Sequence, residues 1–338
     1  MEIIEALNVV SGAVFMTDWN INDKNFSSEQ KKILLILEQF KNEHEESDWV
    51  IGNDYLEIEK EIRKSLSKIS NDAIPLAISI LKPLVKAKEG RDRESIWSAN
   101  RSAAILMGLI GDHTVVSTLI EYTSYFDNED ESDMEIAEEM GMALWRVGGD
   151  AVGELIEALD NAVKVDARGN TEITIRSIVD ALGSIADERA IEPLIKTLNS
   201  DAGGGDWITA KNCIWSLSVF ADVRAANAIV DALQHGDGDV ERVARNMLRY
   251  GLVEGSFNKD PIRGEAIKSM ISLLQSEDES AVINAAWVLG DICEESAIKP
   301  LQNLISGDKK ALDTSVEYFV TKALDRIHSG EVNIEGEG

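Results

Sequence analysis

The sequence has few of the residues from which catalytic, redox and metal sites are usually built. It contains only two cysteines, Cys213 and Cys293, and neither belongs to a CxxC arrangement. Both lie inside helical patterns, so we expect buried, reduced thiols, which indicate a reducing, cytoplasmic location. The four histidines are scattered, and no Ser/His/Asp or Cys/His arrangement can be assembled from neighbouring helices. The sequence therefore predicts no catalytic, cofactor-binding or metal-binding residues.

Basic residues are also scarce. There are 33 Lys+Arg against 61 Asp+Glu, which gives a net charge of −28. Binding to phosphate backbones or anionic headgroups depends on lysine and arginine, so this balance argues against nucleic acid and membrane surfaces as partners. The same excess of negative charge favours solubility and a basic partner.

Long apolar runs are missing as well. No stretch approaches the roughly 20 uninterrupted apolar residues that a membrane-spanning helix needs. The first 19 residues have no basic n-region, and their apolar run is broken by Asn8, Ser11 and Gly12. We therefore expect neither a membrane span nor a signal peptide.

What the sequence does contain is a repeat. The stretch 171–199 reads as two amphipathic helices and a tight turn, and its second helix opens with Ala190-Ile191 followed by Leu194-Ile195. Variants of this second helix begin at positions 80, 115, 151, 190, 225, 266 and 297, in steps of 35, 36, 39, 35, 41 and 31 residues. A near-fixed period in this range is typical of a stacked helical array.

The first helix of each pair shows the same regularity. Its apolar face in the reference stretch is Ile175, Ile178, Val179, Leu182 and Ile185, and a shift of 35 residues gives another apolar set: Ala210, Cys213, Ile214, Leu217 and Phe220. Acidic residues just before the second helices are expected N-caps, namely Asp112, Asp187 and Asp222. Glycines mark where the first helices end or pack closely, namely Gly108, Gly183, Gly251 and Gly290.

The stretch from Ala281 to Ile292, continuing through Ala297-Ile298-Lys299-Pro300-Leu301, resembles a HEAT-type repeat, in particular the short HEAT-like repeats named after the phycobilisome lyases. The resemblance covers roughly residues 70–328. It implies an all-α, right-handed α–α superhelix of about six to seven helix pairs. It also implies that Arg101, Arg176 and Lys211 occupy positions where the family braces neighbouring repeats with a basic residue.

The ends of the chain depart from the repeat. We expect a non-repeat helical N-terminal cap at 1–70, the HEAT-like solenoid at 71–328 and an acidic disordered tail at 329–338. The acidic stretch 127–138 has calcium-loop spacing, but Ser132 replaces the expected glycine, so a cation site and a solvated loop both remain open. HEAT-like deoxyhypusine hydroxylases hold di-iron with several His-Glu pairs; the single pair here, His44-Glu45, argues against that activity.

The candidate binding residues come from the side of the first helices that is turned most away from the core. Stepping by the repeat offsets places Ile105, Met142, Asp180, Trp215, Leu248 and Trp287 in one column. Large apolar side chains on such a face indicate a groove that binds something, although packing against the next helix is the alternative. The predicted partner-binding residues are Met142, Arg146, Asn212, Trp215, Arg245, Leu248, Asn284 and Trp287.

These observations favour a non-catalytic interaction scaffold that binds a peptide or partner protein, probably a basic one, along its concave face. The alternative, by fold analogy alone, is a bilin-type prosthetic-group lyase or a chaperone-like enzyme. An absorbance scan of the purified protein separates the two, because a bound chromophore would favour the lyase. The partner, the pathway and the oligomeric state do not follow from the sequence.

Overall fold

A computed structural model describes residues 104, 107–123, 131–164, 170–200, 207–306 and 314–332, without the side chains of 131–138 and 170–171. Within these ranges the chain is helical. The α-helices are α1 (Val116–Thr123), α2 (Glu131–Val147), α3 (Val152–Lys164), α4 (Asn170–Ile185), α5 (Ile191–Leu198), α6 (Trp207–Ser218), α7 (Val223–Asp231), α8 (Gly238–Val253), α9 (Ile262–Leu273), α10 (Glu279–Asp291), α11 (Ile298–Ser306) and α12 (Thr314–Ser329). The chain divides into two compact units, residues 1–181 and 182–338, each of which is described by itself.

The turn between paired helices follows from local chemistry. Asp112 and Asp187 have extended backbones and accept hydrogen bonds from the amides of Thr114 and Arg189, which starts a 3-10 turn before α1 and α5. Asp222 caps α7 in the same way, through the amide of Arg224. The three predicted N-caps are confirmed. Hydrogen bonds from the Arg189 side chain and amide lower the pKa of Asp187 to about 2.

In the second unit the helices form two layers. Alternate helices α6, α8, α10 and α12 pack side by side in one layer, and α5, α7 and α9 pack in the other. Each helix also contacts its neighbour in sequence across the layers, as α6 does with α7 and α11 with α12. Fully buried aliphatic residues fill the space between, for example Leu194, Ile214, Ile229 and Leu289. This arrangement confirms the all-α, HEAT-like fold class for the unit.

In the first unit, α1 packs against α2 and α3. The hydroxyl of Thr123 donates to that of buried Thr174 on α4 over 2.9 Å. A Cβ at Gly108 would lie 2.7 Å from the Cα of Ala143 on α2, so glycine allows a close approach of the two segments. The predicted packing role of Gly108 follows directly.

The structure corrects the repeat register of α8. Asp237 and Asp278 are the N-caps of α8 and α10 and lie 41 residues apart, so the α8 residue equivalent to Trp287 is Asn246, two positions before Leu248. Leu248 aligns with Leu289, and both side chains have 0% exposure. The reason is that the longer connection, residues 254–261, follows α8 instead of preceding it. Leu248 is therefore a core residue, not a groove-lining one.

The cysteines also differ from each other. Cys213 is a buried, free thiol on α6, as predicted. Cys293 lies just after α10 with a left-handed φ of 53°, is partly exposed, and contacts the carbonyl oxygen of Arg326 through its sulfur at 3.6 Å. It is a helix-terminating residue, so the expectation of a buried core thiol is wrong for this position.

Several sequence predictions lie outside the described residues. These are the N-terminal cap at 1–70, the basic position Arg101, the His44-Glu45 pair, most of the acidic stretch 127–138 and the tail beyond Val332. The domain boundaries therefore stay predictions. Among the helices that the structure does describe, none is both long and apolar enough to cross a membrane.

Candidate interaction surface

The solvent side of α6 carries an apolar ridge. Trp207, Lys211, Trp215 and Val219 follow one another at four-residue spacing, which places them along one side of a helix. The three apolar members are exposed to 42%, 53% and 51%, respectively. The Lys211 ammonium lies 4.2 Å from the centre of the Trp207 ring, so its charge stacks on the indole.

The burial pattern of α6 explains why Trp215 is so exposed. The buried residues of α6 are Thr209, Ala210, Cys213, Ile214, Ser216 and Leu217. At about 100° per residue these span one half of the helix, and Trp215 points close to the middle of the other half. Its indole therefore projects into solvent and leaves more than 100 Å² of apolar surface, to order of magnitude, without a partner in the described chain.

Trp287, the equivalent residue on α10, is half-buried instead. Its ring stacks on Phe319 of α12 with centroids 5.2 Å apart and an interplanar angle of 23°. The Arg245 guanidinium of α8 lies 4.9 Å from the same indole. Tyr318, exposed on α12, meets Phe319 edge-on at 5.3 Å. An arginine and three aromatic rings are thus brought together from three helices.

A buried amide holds Arg245 in this position. Asn284 on α10 accepts a hydrogen bond from Arg245 Nη1 through Oδ1. Its Nδ2 donates to Glu241 Oε2 at 2.9 Å and to the Leu233 carbonyl at 2.8 Å. The other carboxylate oxygen of Glu241 accepts from the Gly236 amide at 3.0 Å. Asn284 therefore bridges a carboxylate and a guanidinium that do not bond to each other directly.

Below this bridge lies a buried ionic cluster. Asp291, which has 0% exposure, accepts from Arg249 Nη1 at 2.8 Å and from Arg326. Arg249 also donates to Asn246. Burial raises the pKa of the Asp291 carboxyl, and the hydrogen bond from Arg249 and the charge of Arg326 offset part of that effect. The cluster links α8, α10 and α12 and fixes the layer on which Trp287 lies.

The eight residues predicted to bind a partner separate into groups. Arg245, Asn284 and Trp287 form one contact network, while Asn212 and Trp215 lie together on α6. Met142 and Arg146 belong to the first unit, where Arg146 is buried. Asn284 and Leu248 are buried as well, so neither offers its side chain to solvent.

Four residues of this surface were absent from the predicted set: Trp207, Glu241, Tyr318 and Phe319. The four-residue spacing of Trp207, Lys211 and Trp215 was a signal that sequence reasoning could have used. Glu241 and Phe319 gave no such signal, because their roles depend on contacts between helices that are 35 or more positions apart in the sequence.

The basic positions that the resemblance singles out make mainly local contacts. Arg176 pairs with Glu172 on its own helix, and Lys211 stacks on Trp207. Lys211 also lowers the pKa of Asp239 at the start of α8, after the larger effect of Arg242. That effect is the one printed link between Lys211 and a neighbouring repeat within the described ranges.

Comparison with known proteins places the repeat. Residues 176–200 match the family model described as PBS lyase HEAT-like repeat. This match confirms the resemblance seen in the sequence. A search of curated proteins found no match.

Solved structures give more distant likenesses. The structure of human deoxyhypusine hydroxylase in complex with glycerol is 14% identical, with 89% of this chain and 97% of that chain covered and a TM-score of 0.32. An engineered protein is 20% identical, with 75% and 98% covered and a TM-score of 0.26. Neither likeness is close enough to support an argument about function. In the described ranges no group of three or more His, Cys, Asp or Glu side chains is arranged to hold a metal ion.

Proposed function

We propose that this protein is a non-catalytic interaction scaffold that binds a basic peptide or partner protein, and that the layer formed by α6, α8, α10 and α12 carries the binding surface. The single observation that supports it most is the exposed ridge of α6. Trp215 and Val219 are each about half exposed on a helix whose other side is fully packed. Exposed tryptophan is uncommon on a surface without a partner and is enriched among residues that dominate binding energy.

The charge of the chain supports a basic partner. With 61 acidic against 33 basic residues, the long-range field attracts cationic segments and repels anionic ones. Such a field mainly raises the association rate, whereas buried aromatic contacts hold the complex together. The proposal thus assigns selectivity to the acidic surface and affinity to the ridge. The free cysteines support a reducing, cytoplasmic setting for this interaction.

The test compares the full chain with two variants. Immobilised protein captures partners from a lysate of the source cells at low salt; the captured proteins are identified by mass spectrometry, and their affinities are measured with purified material. We expect Trp215→Ala to weaken binding by roughly 10–30-fold, which corresponds to about 1.4–2 kcal/mol for a tryptophan at the centre of an interface. The melting temperature should stay nearly unchanged, because the ring is exposed.

Ile305→Ala is the matched control. Ile305 is a large apolar side chain exposed to 40% on α11, away from the α6 ridge. This variant should bind as the wild type does. If Trp215→Ala captures the same proteins with the same affinity, or if the captured proteins are not basic, the proposal is wrong. A large loss of stability in Trp215→Ala would show instead that the ring is a packing residue.

A further inference from the structure

We propose that Arg245, held flat on the Trp287 ring, is a binding point for a carboxylate group of the partner. The inference rests on the proposed scaffold function and adds a chemical requirement to it: within its basic segment, the partner presents an aspartate, a glutamate or its C-terminal carboxylate at this point. A guanidinium offers five N–H donors in a planar fork that matches the two oxygens of a carboxylate.

The first support is that Arg245 lacks the partner that its neighbours have. Seven described arginines form ion pairs with carboxylates: Arg176, Arg189, Arg224, Arg242, Arg249, Arg263 and Arg326. Within the described ranges, Arg245 instead contacts the amide oxygen of Asn284 and the face of Trp287. In a chain with almost two acidic residues for each basic one, this choice of neutral partners is unusual.

The second support is that the nearest carboxylate is already occupied. Both oxygens of Glu241 accept hydrogen bonds from neutral donors, the Gly236 amide and Asn284 Nδ2. Asn284 therefore separates Glu241 from Arg245 and orients the guanidinium at the same time. One Arg245 donor is used in this contact, so most of the fork is available to a ligand. Fixing a donor in advance reduces the conformational entropy that binding costs.

The third support is the local excess of positive charge. Arg249 and Arg242 both act on Arg245 with like charge, while Glu241 and Asp291 offset only part of it. Burial is the largest cause that lowers the pKa of Arg245, so the cation is held in a partly desolvated place. A carboxylate that docks on it gains a charge-assisted hydrogen bond in surroundings drier than bulk water. Phe319, stacked on the other part of Trp287, adds apolar surface beside the fork.

The charges also favour a carboxylate over a phosphate. Glu241 and Asp291 lie close enough to Arg245 to influence its charge, and the chain as a whole carries −28. A phosphate group carries a charge near −2, so it is repelled more strongly than a carboxylate with −1. One guanidinium also satisfies a carboxylate, whereas phosphate sites are generally built from several cationic or amide donors.

The test needs no identified partner. The full chain is titrated with N-acetylglutamate amide while NMR follows the indole N–H of Trp287 and the side-chain Nε–H of Arg245. N-acetylglutamine amide is the neutral, isosteric control, and inorganic phosphate is the competing anion. We expect saturable shifts at both signals with the carboxylate alone. The dissociation constant should be on the order of millimolar, because a single charged hydrogen bond contributes only about 1.5–3 kcal/mol.

Two variants locate the effect. Arg245→Gln should abolish the carboxylate-dependent shift at Trp287, whereas Arg242→Gln, three residues earlier and paired with Asp239, should keep it. Arg245→Lys keeps the charge without the fork and should weaken binding several-fold. Equal shifts with the glutamine analogue, equal or stronger shifts with phosphate, no saturable shift in the wild type, or an unchanged response in Arg245→Gln would each overturn the inference. The capture experiment with Trp215→Ala is read separately, so failure here leaves the scaffold proposal intact.

Discussion

Single residues at the ends of the first helices show how the repeat tolerates strain. Gly111, Ala186 and Cys293 occupy the same place, just after a first helix, and all three have a left-handed φ, of 65°, 55° and 53°. Glycine adopts this conformation freely, whereas for other L-residues it costs about 1–2 kcal/mol. Two repeats therefore carry a conformational cost that the first described one does not.

Replacing Ala186 by glycine should raise the free energy of unfolding. Ala186 is exposed, so the change removes the left-handed penalty without creating a cavity. Part of the gain is lost because glycine gives the unfolded chain more freedom, and we expect a net gain of about 0.5–1 kcal/mol by urea denaturation. Ala221 occupies the equivalent place in the next repeat without a positive φ. Ala221→Gly should therefore destabilise by a similar amount, and equal effects of the two changes would contradict the argument.

At the level of elements, the spacing between first helices depends on which residue lies at the crossing. A Cβ at Gly183 of α4 would lie 2.8 Å from the Cα of Ser216 on α6, and one at Gly290 of α10 would lie 2.7 Å from the Cα of Ala323 on α12. In the corrected register, α8 has Arg249 at this position. That helix contacts α10 through the buried pair of Arg249 and Asp291 instead of through a close backbone approach.

Gly183→Ala should therefore destabilise the second unit by about 1–3 kcal/mol, the usual cost of overpacking a filled contact. The new methyl meets backbone as well as the Ser216 side chain, so α4 and α6 must move apart. Ser216→Gly combined with it should recover only part of the loss, because the Cα remains. Gly153→Ala on α3 is the control: nothing lies within 4 Å of its Cβ, so stability should stay level or rise by a few tenths of a kcal/mol. Differential scanning calorimetry of the four proteins measures these effects, and an unchanged Gly183→Ala would contradict the close-packing interpretation.

How far the sequence could predict these elements is shown by α8. The period of apolar residues was sufficient to predict helix pairs, their N-caps and the core of α6, because each depends on residues within one or two turns. The position of the added residues between α8 and α9 could not be read from spacing, since second helices show the steps 41 and 31 while first helices show 31 and 41. That ambiguity misplaced Leu248. It also concealed the bridge from Glu241 through Asn284 to Arg245, which depends on register between two helices.

For the whole molecule, the dominant physical property is the charge of −28. The described ion pairs are mostly exposed, as at Arg189 with Asp187 and Arg224 with Asp222 and Glu192, and each contributes at most about 1 kcal/mol. They cannot neutralise the excess of acidic groups. The folded chain therefore holds a large negative charge in a small volume, and self-repulsion lowers its stability.

Salt should consequently stabilise this protein. Raising ionic strength from about 0.01 M to 0.1 M shortens the screening length from roughly 30 Å to 10 Å, which removes most repulsion between distant carboxylates but weakens contact pairs much less. We expect the melting temperature to rise with NaCl and to level off above a few tenths molar; a gain of about 1 kcal/mol corresponds to roughly 2–4 °C for proteins of this size. Na₂SO₄ at equal ionic strength separates screening from salting-out, because screening alone gives the same shift with both salts. A melting temperature that falls with NaCl would mean that the exposed ion pairs outweigh the repulsion, and the argument for a basic partner from net charge would lose its basis.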